Sequence, residues 1–134
     1  MTWELIKSAS SKSARLYRMN VPNGWLLRSA STAIKKIHRL EAQNVSTSET
    51  LLFILDNEHT WCLDETTTWE TLKFNYKDFF GALIDTTSRL KVPNGWVVKT
   101  HSGNKARSTI GSTVSEAMTF VPDPKHVWFI EEVV

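Results

Sequence analysis

The chain has 134 residues, 41% of them hydrophobic, which is ample for one shared core and short for two large ones. Sixteen Lys and Arg against fourteen Asp and Glu leave a formal charge of +2, so no overall polyelectrolyte character points to a partner. The single cysteine, Cys62, excludes an internal disulfide and fits a reducing address, the cytoplasm; no run approaches the roughly 20 apolar residues of a membrane span.

The first residues, Met1 to Lys7, lack a basic segment followed by an apolar one, so no secretory leader is expected. Trp3 opens a short strand. Next, Val21-Pro22-Asn23-Gly24-Trp25 reads as a hairpin turn: Pro suits the second position of a type I turn, Asn the third, and Gly a left-handed bulge. This implies a three-residue loop with Val21 opposite Trp25 and Arg18 opposite Arg28. Met19, Val21, Trp25 and Leu27 then share one face, and Arg18, Asn20, Leu26 and Arg28 the other. A two-residue Asn-Gly loop would mix apolar and basic residues on both faces. Ser31 to Gln43, with Ile34, Ile37 and Leu40 at three-residue steps, suggests a short helix. The Asn44-Val45-Ser46 sequon is idle in a cytoplasmic chain. A second hairpin runs from Leu51-Leu52-Phe53-Ile54-Leu55 through Asp56-Asn57-Glu58-His59 into Thr60 to Leu63, apolar on both faces and hence expected to be covered on both. Asn75, Tyr76, Phe79, Phe80 and Leu83 have helical spacing, with a cap at Asn75.

From there the chain repeats itself. Thr2-Trp3-Glu4 recurs as Thr68-Trp69-Glu70 at an offset of 66, and Val21 to Trp25 recurs unaltered as Val92 to Trp96 at an offset of 71. Glu49, Phe53, Asp56, His59, Trp61 and Glu65 recur at an offset of 67 as Glu116, Phe120, Asp123, His126, Trp128 and Glu132. All six tryptophans fall into three matching pairs. The architecture expected is therefore mainly antiparallel β, about eight to ten strands with one or two short helices. It comprises two repeat units, 1–67 and 68–134, related by an approximate two-fold axis and completing one core as a monomeric internal pseudo-dimer.

For chemistry, Asp56-x-x-His59 and Asp123-x-x-His126 place a carboxylate and an imidazole at each second turn. That pairing suits a general base in a hydrolase, and turn stabilisation accounts for it equally well. Cys62, His38 and His101 lack metal-ligand spacing, and no phosphate loop or nucleophile elbow is present, so neither cofactor nor metal is expected and an enzyme is disfavoured. Charge is segregated: Leu5 to Leu40 holds eight basic residues and no acidic one, and Glu41 to Leu72 seven acidic and no basic. The basic hairpin faces, with Arg18, Arg28, Arg89, Lys91 and Lys99, are the candidate binding residues. A non-enzymatic protein-binding role ranks first, nucleic-acid or polyanion binding through those faces second, and a hydrolase third.

Overall fold

The computed structural model describes residues 2–36, 43–78, 81–106 and 112–130, with side chains at 2–32, 47–73, 85–103 and 114–130. Strands β1 (Glu4–Leu5), β2 (Ala14–Val21), β3 (Gly24–Lys36) and β4 (Gln43–Leu55) form one antiparallel sheet in that order. Strands β5 (Glu70–Asp78), β6 (Gly81–Val92), β7 (Gly95–Ala106) and β8 (Ser112–Pro122) form a second of the same order. Each is an up-and-down meander of chain neighbours, and the helical content among the described residues is a 3-10 turn at Lys7–Ala9.

Neither expected helix forms among the described residues. Residues Asn75 to Asp78 continue β5 and Gly81 to Leu83 open β6, so a hairpin replaces the helix; residues 79–80 lie outside the described residues. Ser31 to Lys36 likewise continue β3 and Gln43 begins β4, with 37–42 outside the described residues. Pairing along two strands of 13 residues satisfies the backbone continuously, and this long-range gain outweighs the weak propensity of a short apolar repeat for helix.

The first turn also differs from expectation. Val21 pairs with Gly24 and Asn20 with Trp25, so the loop is the two residues Pro22-Asn23, and Val92 pairs with Gly95 in the same way. Asn23 and Asn94 take the positive φ, 67° and 68°, behind a proline, as a type II turn requires. Gly24 and Gly95 are outside the left-handed region; they are glycine because of close approach. A Cβ on Gly24 would lie 2.0 Å from the Ile54 carbonyl oxygen, and one on Gly95 2.1 Å from that of Val121. The register moves by one residue. Arg18 therefore faces Leu27 rather than Arg28, and Arg89 faces Val98 rather than Lys99. Leu16, Arg18, Trp25 and Leu27 share one face of the first sheet, and Tyr17, Met19, Leu26 and Arg28 the other.

The second expected hairpin is half a hairpin. Thr60 to Leu63 and Val127 to Ile130 are not strands. Asp56 accepts hydrogen bonds from the N–H groups of Thr60 and Trp61 at 3.1 and 2.9 Å, which removes those groups from a ladder. His59 and His126 adopt φ of 48° and 52°, turning the chain off the sheet edge. The segment then crosses the sheet face and lays Trp61 edge-on against Trp25, as Trp128 lies against Trp96.

The core lies between the sheets. Leu16, Trp25, Leu27, Ile54 and Trp61 meet Leu90, Val92 and Val97, with Met118 and Phe120 packed alongside. Each such aliphatic side chain contributes ~2 kcal/mol on burial. By the sequence match, Val97 corresponds to Leu26, not to Leu27. The first sheet thus buries its Trp25 face, whereas the second buries the face opposite Trp96. A two-fold axis would join corresponding faces, so the expected symmetry does not relate these sheets; they stack with the same side up.

Candidate interaction surfaces

Each Asp-x-x-His turn is a closed knot. The Asp56 carboxylate accepts from Trp25 Nε1 at 2.9 Å, from the Thr60 and Trp61 N–H groups, and from Thr60 Oγ1 at 3.0 Å. Burial raises its pKa, but the bonds from Trp25, Thr60 and Trp61 outweigh this and hold the carboxyl below its ordinary value. His59 Nε2 lies 2.8 Å from the Val21 carbonyl oxygen and 2.9 Å from that of Gly24; with two acceptors facing it, this nitrogen carries the proton and donates. Asp123 and His126 repeat the arrangement on Trp96, Val127, Trp128, Val92 and Gly95, and the Trp96 bond is the chief cause of a lowered Asp123 pKa. In both knots the imidazole Nε2 is turned to backbone carbonyls and not to the carboxylate. Both groups are consumed in tying the hairpin turn to the chain segment that follows β4 or β8.

The five basic residues marked by sequence do not converge. Arg18 is buried, its guanidinium 4.0 Å from the Trp25 ring centre and 5.0 Å from that of Trp61, donating to Glu4 Oε1 and the Trp61 carbonyl, both at 2.6 Å. Arg89 repeats this at 3.8 Å over Trp96, bonded to Glu70 and to the Trp128 carbonyl. Such stacking contributes ~1 kcal/mol or more when desolvated. Arg28 stands on the opposite face of the first sheet, paired with Glu49 at 2.7 Å beside Trp3 and Tyr17. Lys99 is buried 4.3 Å over Trp69; burial pushes its ammonium pKa down and the charge of Glu116 opposes this. Lys91 is exposed.

A polar anchor sits within the sheet–sheet contact. The Glu116 side chain is 0% exposed and accepts hydrogen bonds from Ser29 Oγ at 2.7 Å and from Ser31 Oγ. Its own N–H donates to Ser48 Oγ at 3.1 Å, and His101 Nδ1 lies 3.3 Å from Oε1. Burial raises the Glu116 pKa, but the bonds from His101 and Ser29 and the charge of Lys99 bring it below the ordinary value.

Sequence reasoning missed the outward faces. Among the described residues the exposed large apolar side chains are Leu51 at 61%, Phe53 at 46%, Leu55 at 49%, Val127 at 73% and Phe129 at 82%. The first three line β4 on the face of Leu26 and Arg28, and the other two lie on the crossing segment over the outer face of the second sheet. The strand expected to be covered on both faces is covered on one, the face of Leu52 and Ile54; its two-sided apolar pattern was the available signal. A shallow cleft of about 620 Å³ is lined by Leu5, Ile6, Lys7, Leu63, Asp64 and Thr68. A second of about 380 Å³ separates Trp61 and Cys62 from Lys91, Val92 and Pro93. Among the described residues no three His, Cys, Asp or Glu side chains form a metal-binding group, and no helix is long and apolar enough to cross a membrane. Comparisons with protein-family models, curated proteins and solved structures give no match to this chain.

Proposed function

We propose that this is a non-enzymatic protein-recognition module, built by internal duplication and acting in the cytoplasm, that binds a protein through the exposed apolar surface of Leu51, Phe53 and Leu55. The observation carrying this reading is that three large side chains at alternate positions of one strand stand in solvent beside Leu26 and the Arg28–Glu49 pair. An apolar patch rimmed by polar residues is the usual form of a protein contact. The two matching sheets support the duplication, and the unpaired, exposed Cys62 supports a reducing address. Arg18, Arg89 and Lys99 are engaged internally, so the five basic residues marked by sequence do not offer a polyanion one continuous face. Photo-crosslinking in cells with benzoylphenylalanine in place of Phe53 tests the reading, with the same group at exposed Lys12 as control. A protein adduct specific to position 53 is the expected result; adducts at neither position, or equal adducts at both, overturn it.

A further inference from the structure

This inference rests on the protein-recognition reading and names the partner. We propose that the chain stacks head to tail with further copies of itself, the outer face of the first sheet in one subunit docking on the outer face of the second sheet in the next.

The contact inside the chain is the template. It joins the Trp25 face of the first sheet to the Val97 face of the second, which are non-corresponding faces, so the interface is heterologous. The two faces left outside are therefore the complements of the two inside. The outer face of the first sheet carries Met19, Val21, Leu26, Leu51 and Phe53 where the buried face of the second carries Leu90, Val92, Val97, Met118 and Phe120. The outer face of the second sheet carries Trp96, Val98 and Val121 where the buried face of the first carries Trp25, Leu27 and Ile54. A surface meant for solvent has no reason to keep that set.

The polar anchor is duplicated too. Glu116 corresponds to Glu49, which is 60% exposed and held by Arg28 as Glu116 is attended by Lys99. Ser29, Ser31 and Ser48, which surround Glu116, correspond to Thr100, Ser102 and Ser115, all exposed on the outer face of the second sheet. An incoming copy would set its Glu49 among those three hydroxyls. At the rim of the internal contact, the exposed Thr60 and Cys62 line a cleft with Pro93, and their counterparts at the rim of the open face are the more apolar Val127 and Phe129. Leu51 and Phe53 thus lie where Met118 and Phe120 are packed inside the chain, and Leu55, Val127 and Phe129 lie at the rims of the two faces that this stacking joins. Because the operation relating the sheets joins unlike faces, repeating it leaves one free face at each end, and growth is open unless the rotation closes a ring.

Sedimentation velocity on the purified full chain over a 100-fold concentration range, with a paired-variant mixture, tests this. Wild type is expected to pass through twice the monomer mass and continue upward. Leu51→Lys with Phe53→Lys blocks one face, Val127→Lys with Phe129→Lys the other, and each double variant alone is expected to stay monomeric. Mixed one to one, they retain one good pair of faces and are expected to reach twice the monomer mass and stop, which also shows both are folded. Wild type that stays monomeric, or that halts at a dimer, overturns the proposal, as does a mixture that remains monomeric while wild type grows. The crosslink at position 53 separates the two readings. An adduct with another protein, with the purified chain monomeric, removes self-stacking and leaves protein recognition standing; no protein adduct removes both.

Discussion

Phe53 on β4 and Phe120 on β8 occupy matching places in the repeated sequence, yet one stands in solvent and the other packs against the core. Glu49 and Glu116 differ in the same sense, the first exposed beside Arg28, the second enclosed by Ser29 and Ser31. The side chains are the same, so burial here follows from which face is stacked on and not from residue type. The knots behave oppositely: Asp56 and Asp123 hold near-identical bonds to Trp25 and Trp96 at 2.9 Å in both sheets. What ties a sheet together is duplicated in environment, and what joins sheet to sheet is duplicated in sequence alone.

The sharpest way to break that comparison is at the phenylalanines. Phe120→Ala is expected to cost about 3–5 kcal/mol in urea unfolding of dilute protein, and Phe53→Ala under about 1 kcal/mol. Equal losses would mean that the faces are not as different as their burial implies. Gly24→Ala and Gly95→Ala should each lose about 1–3 kcal/mol, alike in both sheets, because the added Cβ meets a backbone carbonyl in each. A loss in one sheet only would show that the matching turns are not equivalent in solution. Glu116→Gln is expected to cost ~2 kcal/mol and Glu49→Gln under about 1 kcal/mol, since only the first leaves buried hydroxyls facing a weaker acceptor. Acid sharpens this contrast. The folded pKa of Glu116 lies below its ordinary value, as do those of Asp56 and Asp123. A depressed carboxylate contributes stability above its unfolded pKa, near 4, and loses it as pH falls through the folded value. Urea midpoints measured from pH 7 to pH 3 should therefore fall below about pH 4, and less steeply in Glu116→Gln. The smallest effect is at the turns: Asn23→Gly and Asn94→Gly should gain up to about 1 kcal/mol, because glycine takes positive φ without a Cβ penalty.

The antiparallel sheet class and the hairpin at Pro22-Asn23 were legible in the sequence, since strand patterning and a Pro-Asn-Gly turn are local signals. The register was not, and the reason is Arg18. Placing arginine with the other polar residues on a solvent face selects a three-residue loop. The fold instead buries the guanidinium between two indoles, where Glu4 and a carbonyl satisfy it. Tyr76 misled toward helix because aromatic residues fit both periods, and its pairing with Ile84 of β6 decides between them. Which face of each sheet would be stacked was invisible for a deeper reason. Both faces of both hairpins are equipped for contact, so periodicity has nothing to choose between.

The meander topology also sets an order of events in folding. Among the described residues every ladder joins strands adjacent in the chain, whereas the bond from Ser29 to Glu116 spans 87 residues. Hairpins of this kind close in roughly 1–10 μs, and docking of one sheet on another must wait for both. Changes at Pro22-Asn23 and Pro93-Asn94 are thus expected to alter the refolding rate in stopped-flow fluorescence, and changes at Glu116 chiefly the unfolding rate. Between the two stages each sheet exists with both faces bare, and during that interval a neighbouring chain competes with the chain's own second half for the same surface.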